Sequence, residues 1–354
     1  MIVHLKWSNR MKKHKKNKKT INKTTILFII LDLLAIGGFV MMYGPWNKVR
    51  NFYVNTAMKT KDHQYLAKVF YNDKTIQKIM NSNYFIEIKE KVKLDDVVID
   101  TSPKSSYDNK YDEEILTRDG NNNDYKIINI KVGISKGYLI AIYDPTKVSL
   151  IRAKNFNIGR YGEQVTAMCN RYNASVCING GGFEDFGTGS DIPLGYVIDD
   201  GEIVWPANNW DTNRGNLIGF NSEGKLLLLA EATGTEALEA GMMDGLEFGP
   251  FLIVNGKPIE IVGDPWGKSP RVAIGQRKDG VVLFLVIDGE NYIDGASLQD
   301  VVDVFTKYGA YNAANLDGGH STSLAINGVL YNNPPAIAKR QGGRYVVTGF
   351  GLLK

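Results

Sequence analysis

AIGQRKDGVVLFLVI, residues 273–287, reads as a strand, a turn and a returning strand, and it decides the fold. Asp279-Gly280 is the turn, because a short hairpin needs the positive φ that glycine adopts freely and aspartate tolerates. The run after it, residues 281–287, is apolar throughout and rich in branched side chains, as expected of a strand buried within a sheet. The same punctuation recurs at Asp200-Gly201, Gly224, Asn255-Gly256 and Asn327-Gly328, each between apolar stretches. VIDDGEIVW and IVNGKPIEI are therefore also paired antiparallel strands. Their spacing is too irregular for a propeller. At least two helices interrupt the strands, and the clearest covers residues 297–308, with Ser297 as N-cap, Asp300 in the first turn and Gly309 as the stop. Its core stripe is Leu298, Val301, Val302 and Phe305. Strands with inserted helices, lacking a steady βαβ alternation, predict an α+β domain with a large twisted, mostly antiparallel sheet and flanking helices.

Outward from this region the composition changes. The chain has 354 residues, 44% of them hydrophobic, enough for one large domain or two small ones. Its formal charge of +4 is misleading. Residues 1–24 hold about nine Lys or Arg and no acid, so the remainder carries about −5. A mildly acidic body lacks the basic stripe of a nucleic-acid-binding protein, and no nucleic-acid partner is expected. The basic tail precedes TILFIILDLLAIGGFVMMY, residues 25–43, about 28 Å of helix and close to the hydrocarbon thickness of a bilayer. Lys12, Lys13, Lys15, Lys16, Lys18 and Lys19 would stay cytoplasmic, while Tyr43 and Trp46 fall where an outer aromatic belt would lie. Asp32 is the one costly residue in the span. A cleaved signal peptide is the rival reading, but the apolar stretch is longer than usual for one and no clear A-x-A site follows. Residues 55–80 carry an amphipathic stripe at Leu66, Val69, Phe70, Ile76 and Ile79 and read as a helical stalk. His63 within it has no metal-spaced partner and reads as a surface or helix-packing residue. Residues 101–125 are rich in Asn, Asp and Ser and read as a linker. The only cysteines, Cys169 and Cys177, are expected as buried thiols. An external location permits a bridge if the helix end carrying Cys169 returns to the strand carrying Cys177.

Chemistry-bearing residues gather at strand ends. NLDGGHSTS, residues 315–323, places Asp317 beside Gly318 and Gly319, whose backbone a ligand can approach, and adds His320 and the hydroxyls of Ser321, Thr322 and Ser323. NGGGFED, residues 179–185, offers the Asn179 amide, the bare positions Gly180, Gly181 and Gly182, and the carboxylates of Glu184 and Asp185. In SPRVAIG, residues 269–275, Arg271 starts a strand, and its planar fork suits a phosphate or carboxylate. VIDGEN, residues 286–291, ends an apolar strand at Asp288. An anion-binding guanidinium, backbone N–H groups, hydroxyls and several carboxylates suit a phosphate-bearing sugar, since paired carboxylates serve an oxocarbenium-like transition state and a phosphate leaving group lessens the need for an acid. A nucleophile elbow, a P-loop and an H-E-x-x-H motif are absent. So are the Cys and His clusters of a zinc hydrolase.

NGGGF, GYVIDDGE (residues 195–202), SPRVAIG, VIDG, GASL (residues 295–298) and NLDGGHSTS together resemble, in order and spacing, the phosphodiester glycosidase family. That family includes the animal lysosomal uncovering enzyme and many bacterial exopolysaccharide-type proteins. The likeness covers roughly residues 135–354. His320 departs from it, standing where family members often have a third glycine or small residue. The resemblance implies hydrolysis of a sugar-1-phosphodiester to free sugar and phosphomonoester. Together with the charge and hydropathy of the amino-terminal part, which the likeness does not cover, it gives an expected division into a basic cytoplasmic tail (1–24), a transmembrane anchor (25–45), a helical stalk and linker (46–125) and a catalytic domain (126–354). The expected protein is a single-pass, extracytoplasmic hydrolase of cell-envelope glycopolymers or their precursors, of teichoic-acid or capsular type. Expected roles are phosphate binding for Arg271, Gly318 and Gly319, acid–base or nucleophilic work for Asp317 and Asp288, and positioning for Ser321 and Thr322. Asn179, Gly180, Gly181, Gly182, Glu184 and His320 are expected to line the substrate site. The sequence requires no cofactor, and it admits a divalent cation. Two rivals share these residues: a non-catalytic glycan-binding module, and a metal-dependent phosphodiesterase using Asp288, Asp317 and His320.

Overall fold

The computed structural model describes residues 22–59, 64–120, 123–156, 161–184, 192–206, 213–289, 294–335 and 342–354. The basic tail up to residue 21, His63 and Asp185 lie outside the described residues. The chain divides into two compact units, residues 1–50 and 51–354. The first contains the helix Lys23–Tyr43, whose best window has a mean hydropathy of 2.4 and which is long and apolar enough to cross a membrane. Asn22 caps it, its side chain accepting from the Thr24 and Thr25 N–H groups. The cap satisfies donors that the first helical turn leaves without partners.

In the second unit every described strand pairing is antiparallel. The expected large antiparallel sheet has seven strands, and the remaining described strands form two five-stranded sheets and two small pairs. The hairpins expected at the five Gly-containing turns all form, and each turn has the required backbone: Asn255 and Gly256, for instance, sit at φ 52° and 76°.

The seven-stranded sheet runs, edge to edge, through Lys257–Pro258, Phe251–Val254, Ala310–Leu316, Arg271–Arg277, Val282–Ile287, Ser135–Ile142 and Tyr125–Val132. Its central strands are buried on both faces, which is why residues 282–287 are apolar without alternation. Val282, Phe284 and Val286 enter one core, and Leu283, Leu285 and Ile287 enter the other. The first core is shared by three sheets. Ile140, Ile274 and Phe251 meet Leu150, Ile178 and Phe350 of one five-stranded sheet and Ile218, Leu228 and Leu246 of the other. Burying each such side chain contributes about 1.5–3 kcal/mol. The second core is roofed by the helix Leu298–Lys307 through Leu298, Val301, Val302 and Phe305. Ser297 and Asp300 close a capping box at its start.

The segment read as a stalk forms the helices Gln64–Phe70 and Asp73–Asn81. Beyond them Tyr84–Ile86 pairs with Glu260–Val262, and Asn55 donates to the Asp264 carbonyl at 2.9 Å. Cys169 and Cys177, expected as thiols, are joined in a disulfide with Cα atoms 5.8 Å apart. The helix Val165–Arg171 is followed by a turn at Tyr172 and Asn173, so the strand Ala174–Asn179 runs directly back beneath the helix and brings the two sulfurs together.

Candidate active site

Two strands from different sheets end at the same place. Ala174–Asn179 leads into the NGGGF turn, and Ala310–Leu316 leads into NLDGGHSTS. Asn179, almost fully buried, locks one turn to the other. Its Nδ2 donates to the Asp317 carbonyl at 2.7 Å and its Oδ1 accepts from the Ser323 N–H at 2.9 Å. The Asp317 N–H in turn donates to the Gly180 carbonyl at 2.8 Å. An amide side chain suits this position because it offers a donor and an acceptor at once.

The glycines act mainly by allowing chain segments to approach. Gly318 lies against the Pro270 carbonyl, where an added Cβ would sit 2.6 Å from the oxygen. Gly319 adopts φ 57° to open the short 3-10 turn Gly319–Ser321, and its N–H donates to the same carbonyl at 2.9 Å. The Gly180 and Gly181 N–H groups donate to the Thr348 carbonyl and hydroxyl, each at 2.9 Å. A Cβ at Gly180 would collide with Leu246. These three N–H groups, expected to face a ligand, serve the protein's own oxygens, because three sheets converge on the turn and leave no room for intervening side chains.

What remains at the surface of this junction is a short rim. Asp317, Gly318 and Gly319 are half-buried and His320 is exposed, while Ser321 and Thr322 are buried. The Thr322 hydroxyl has no hydrogen-bond partner among the described residues. Arg344 reaches the Ser321 Oγ at 3.5 Å and lies over the Phe183 ring, 5.0 Å from its centroid. Glu184 is exposed on the neighbouring turn, its N–H donating to the Ile192 carbonyl at 3.0 Å.

Asp288 stands behind the rim, with 6% of its surface exposed. It accepts from the Asn332 Nδ2 at 2.9 Å and from the Asn333 N–H at 3.0 and 3.1 Å. The Tyr138 phenol is pushed up by burial, and then by the nearby Asp288 carboxylate. Asn332 also donates to the Thr322 carbonyl at 3.2 Å and accepts from the Leu324 N–H at 2.8 Å, tying Asp288 to the serine-threonine turn.

Arg271 is turned inward. Its Nε donates to the Ala296 carbonyl at 2.9 Å and its Nη2 to the Gly267 carbonyl at 2.7 Å. Burial lowers its pKa to about 10, against the opposing pull of Asp264 and Asp300. Two loops closing over the start of its strand present carbonyls that need donors, so much of the fork expected to meet a phosphate holds those loops together.

Asn332, Arg344 and Thr348 escaped the sequence reading. Only Asn332 had a local signal, the Asn-Asn-Pro-Pro turn after a strand. Among the described residues, no group of three or more His, Cys, Asp or Glu side chains is gathered to hold a metal ion.

Comparison with known proteins matches residues 172–353 to the family described as phosphodiester glycosidase. A SPbeta prophage-derived uncharacterized protein of Bacillus subtilis is 28% identical over 178 residues, 48% of this chain and 27% of that protein. The N-acetylglucosamine-1-phosphodiester alpha-N-acetylglucosaminidase of Bos taurus is 35% identical over 66 residues, 19% of this chain and 12% of the enzyme. This chain thus spans about a quarter or less of the length of these curated relatives. The auto-inhibited catalytic domain of the zebrafish enzyme shares the fold, with a TM-score of 0.53 and 22% identity over 65% of this chain and 82% of that one. With more than half its length matched by that family, the chain is a member of the phosphodiester glycosidases.

Proposed function

We propose that this protein is a membrane-anchored, extracytoplasmic hydrolase that cleaves sugar-1-phosphodiester bonds in cell-envelope glycopolymers or their precursors. The observation that carries this reading is the interlock of NGGGF with NLDGGHSTS through Asn179, which sets the half-buried Asp317 on a rim with His320 and Arg344. Asp317 acts in acid–base or nucleophilic work at the anomeric carbon. Arg344 and His320 receive the phosphate, and Ser321 and Thr322 orient it. Arg271 and Asp288 hold the loops behind them. The Cys169–Cys177 disulfide fits an oxidising compartment outside the cytoplasm. The basic tail before an apolar helix fits an anchor with its N-terminus inside. In this division residues 1–24 are the tail, 25–45 the anchor, 46–125 the helical connection and 126–354 the catalytic domain.

The test is hydrolysis of an N-acetylglucosamine-1-phosphodiester by the full chain, solubilised in detergent, in ¹⁸O water. Label is expected in the released sugar. Label in the phosphate would overturn glycosidic cleavage. Asp317→Asn should lower turnover by about 10²–10⁴-fold while leaving the thermal unfolding curve in place, and near-normal turnover would remove Asp317 from the chemistry.

A further inference from the structure

A cavity of about 650 Å³ lies beside the NGGGF turn, with Gly182 in its lining. The volume is in the range of small-molecule sites. Its wall is built around Glu247, which ends the strand Met242–Glu247 and accepts from the Tyr196 N–H at 3.2 Å. Gly195 and Gly215 flank this carboxyl so closely that a Cβ on either would collide with it. Two glycines thus clear space for one acid. Phe248 and Leu194 add apolar surface, and Asn216 and Glu87 add an amide and a second carboxyl.

The charges in this cavity argue against a phosphate. Lys89 is paired with Glu231 at 2.7 Å, and Arg214 with Glu236 at 2.6 Å, so both cations already have anionic partners. A phosphate here would also face Glu247 and Glu87. Burial pushes both carboxyls up, because their charged forms are poorly solvated there, and a second anion beside them would be poorly tolerated. The Glu87 carboxyl bonds the Asn216 side chain, whose Oδ1 accepts from the Glu231 N–H at 3.2 Å, so the wall is held in place before a ligand arrives. Carboxyls and an amide against an aromatic ring match the face of a sugar, whose hydroxyls both donate and accept and whose C–H face is apolar.

We propose that this cavity binds an uncharged pyranose unit of a glycan chain, with Phe248 and Leu194 as apolar walls, the Glu247 and Glu87 carboxyls hydrogen-bonded to its hydroxyls, and Asn216 holding Glu87 in position. The assignment deepens the hydrolase reading, because a polymer reacting at the rim would run its neighbouring sugar past Gly182 into the cavity. It is testable without turnover.

The experiment is a calorimetric titration of the full chain, in a sugar-free zwitterionic detergent, with chitotriose, maltotriose and mannotriose, each repeated in the presence of inorganic phosphate. Saturable binding of at least one trisaccharide is expected, unaffected by phosphate. Leu194→Trp, at an exposed site, should fill the mouth of the cavity and weaken that binding by about tenfold or more. Phe248→Ala should weaken it too, with near-UV circular dichroism checking that each variant is folded. Binding by none of the three sugars, competition by phosphate, or full binding in a folded Leu194→Trp variant would each overturn the proposal. Binding lost in Leu194→Trp by a protein that hydrolyses no phosphodiester would support the cavity assignment and count against the hydrolase reading alone.

Discussion

At the scale of single residues, burial sets what a charged group can do, and Arg271 directs its Nε and Nη2 donors to the Ala296 and Gly267 carbonyls inside the protein. Nothing within SPRVAIG says which way the strand's first side chain turns, since that depends on loops 264–269 and 294–297 closing over it. Glu247 had no local signal, and its meaning comes from Gly195 and Gly215, distant in sequence, pressing on its carboxyl. Its burial has a measurable consequence. With the folded pKa raised above the unfolded value of about 4.3, the unfolded chain gives up this proton first as pH rises. The residue's contribution to stability is then fully present below that pH and is lost as pH climbs through the raised folded value. Glu247→Gln should therefore raise the urea midpoint at pH 7, with the gain shrinking toward pH 4. A gain that does not change with pH would show that the carboxyl is not desolvated in the native state.

At the scale of elements, local punctuation was a sufficient guide. The Asx-Gly turns became hairpins because their φ values are a property of the turn residues themselves. The capping box at Ser297 and Asp300 began the expected helix because it involves only residues three apart. In the strand-end turns the same locality holds, and the glycines there also let chain segments approach, as Gly318 does at Pro270. Gly318→Ala must push the Pro270 carbonyl away and disturb the neighbouring Gly319 N–H bond, and should destabilise the protein by about 1–3 kcal/mol. Chemical denaturation checks this. A fully stable variant would mean that the Pro270 loop yields easily and that the site tolerates its movement.

At the scale of the whole molecule, three sheets share one core, and this decides where the functional turns meet. The seven-stranded sheet carries Asp317 and Asp288, a five-stranded sheet carries Asn179, and the other five-stranded sheet carries Glu247. The disulfide cross-links the helix Val165–Arg171 to the strand Ala174–Asn179 of one five-stranded sheet. Replacing both cysteines by alanine should cost about 2–3 kcal/mol, the chain-entropy value for a short loop. Dithiothreitol should destabilise the parent protein by a similar amount and leave the double variant unchanged. An effect of the reductant on the variant would show that it acts elsewhere.

What is local or periodic is written in the chain: the apolar span, the hairpins, the capped helix, the α+β class and the motifs that mark the family. Each depends on residues close together in the chain, whose conformational preferences act without the rest of the molecule. Long-range packing settles which strand ends share a rim, which donors are taken up inside, whether the cysteines bond, and which acid is buried between two glycines. Asn179 and Asp317 are 138 positions apart, and their contact exists only because the sheets bury a common core. The energy that joins them lies in side chains far from either, in a core whose apolar strands carry no record of which turn they will bring together.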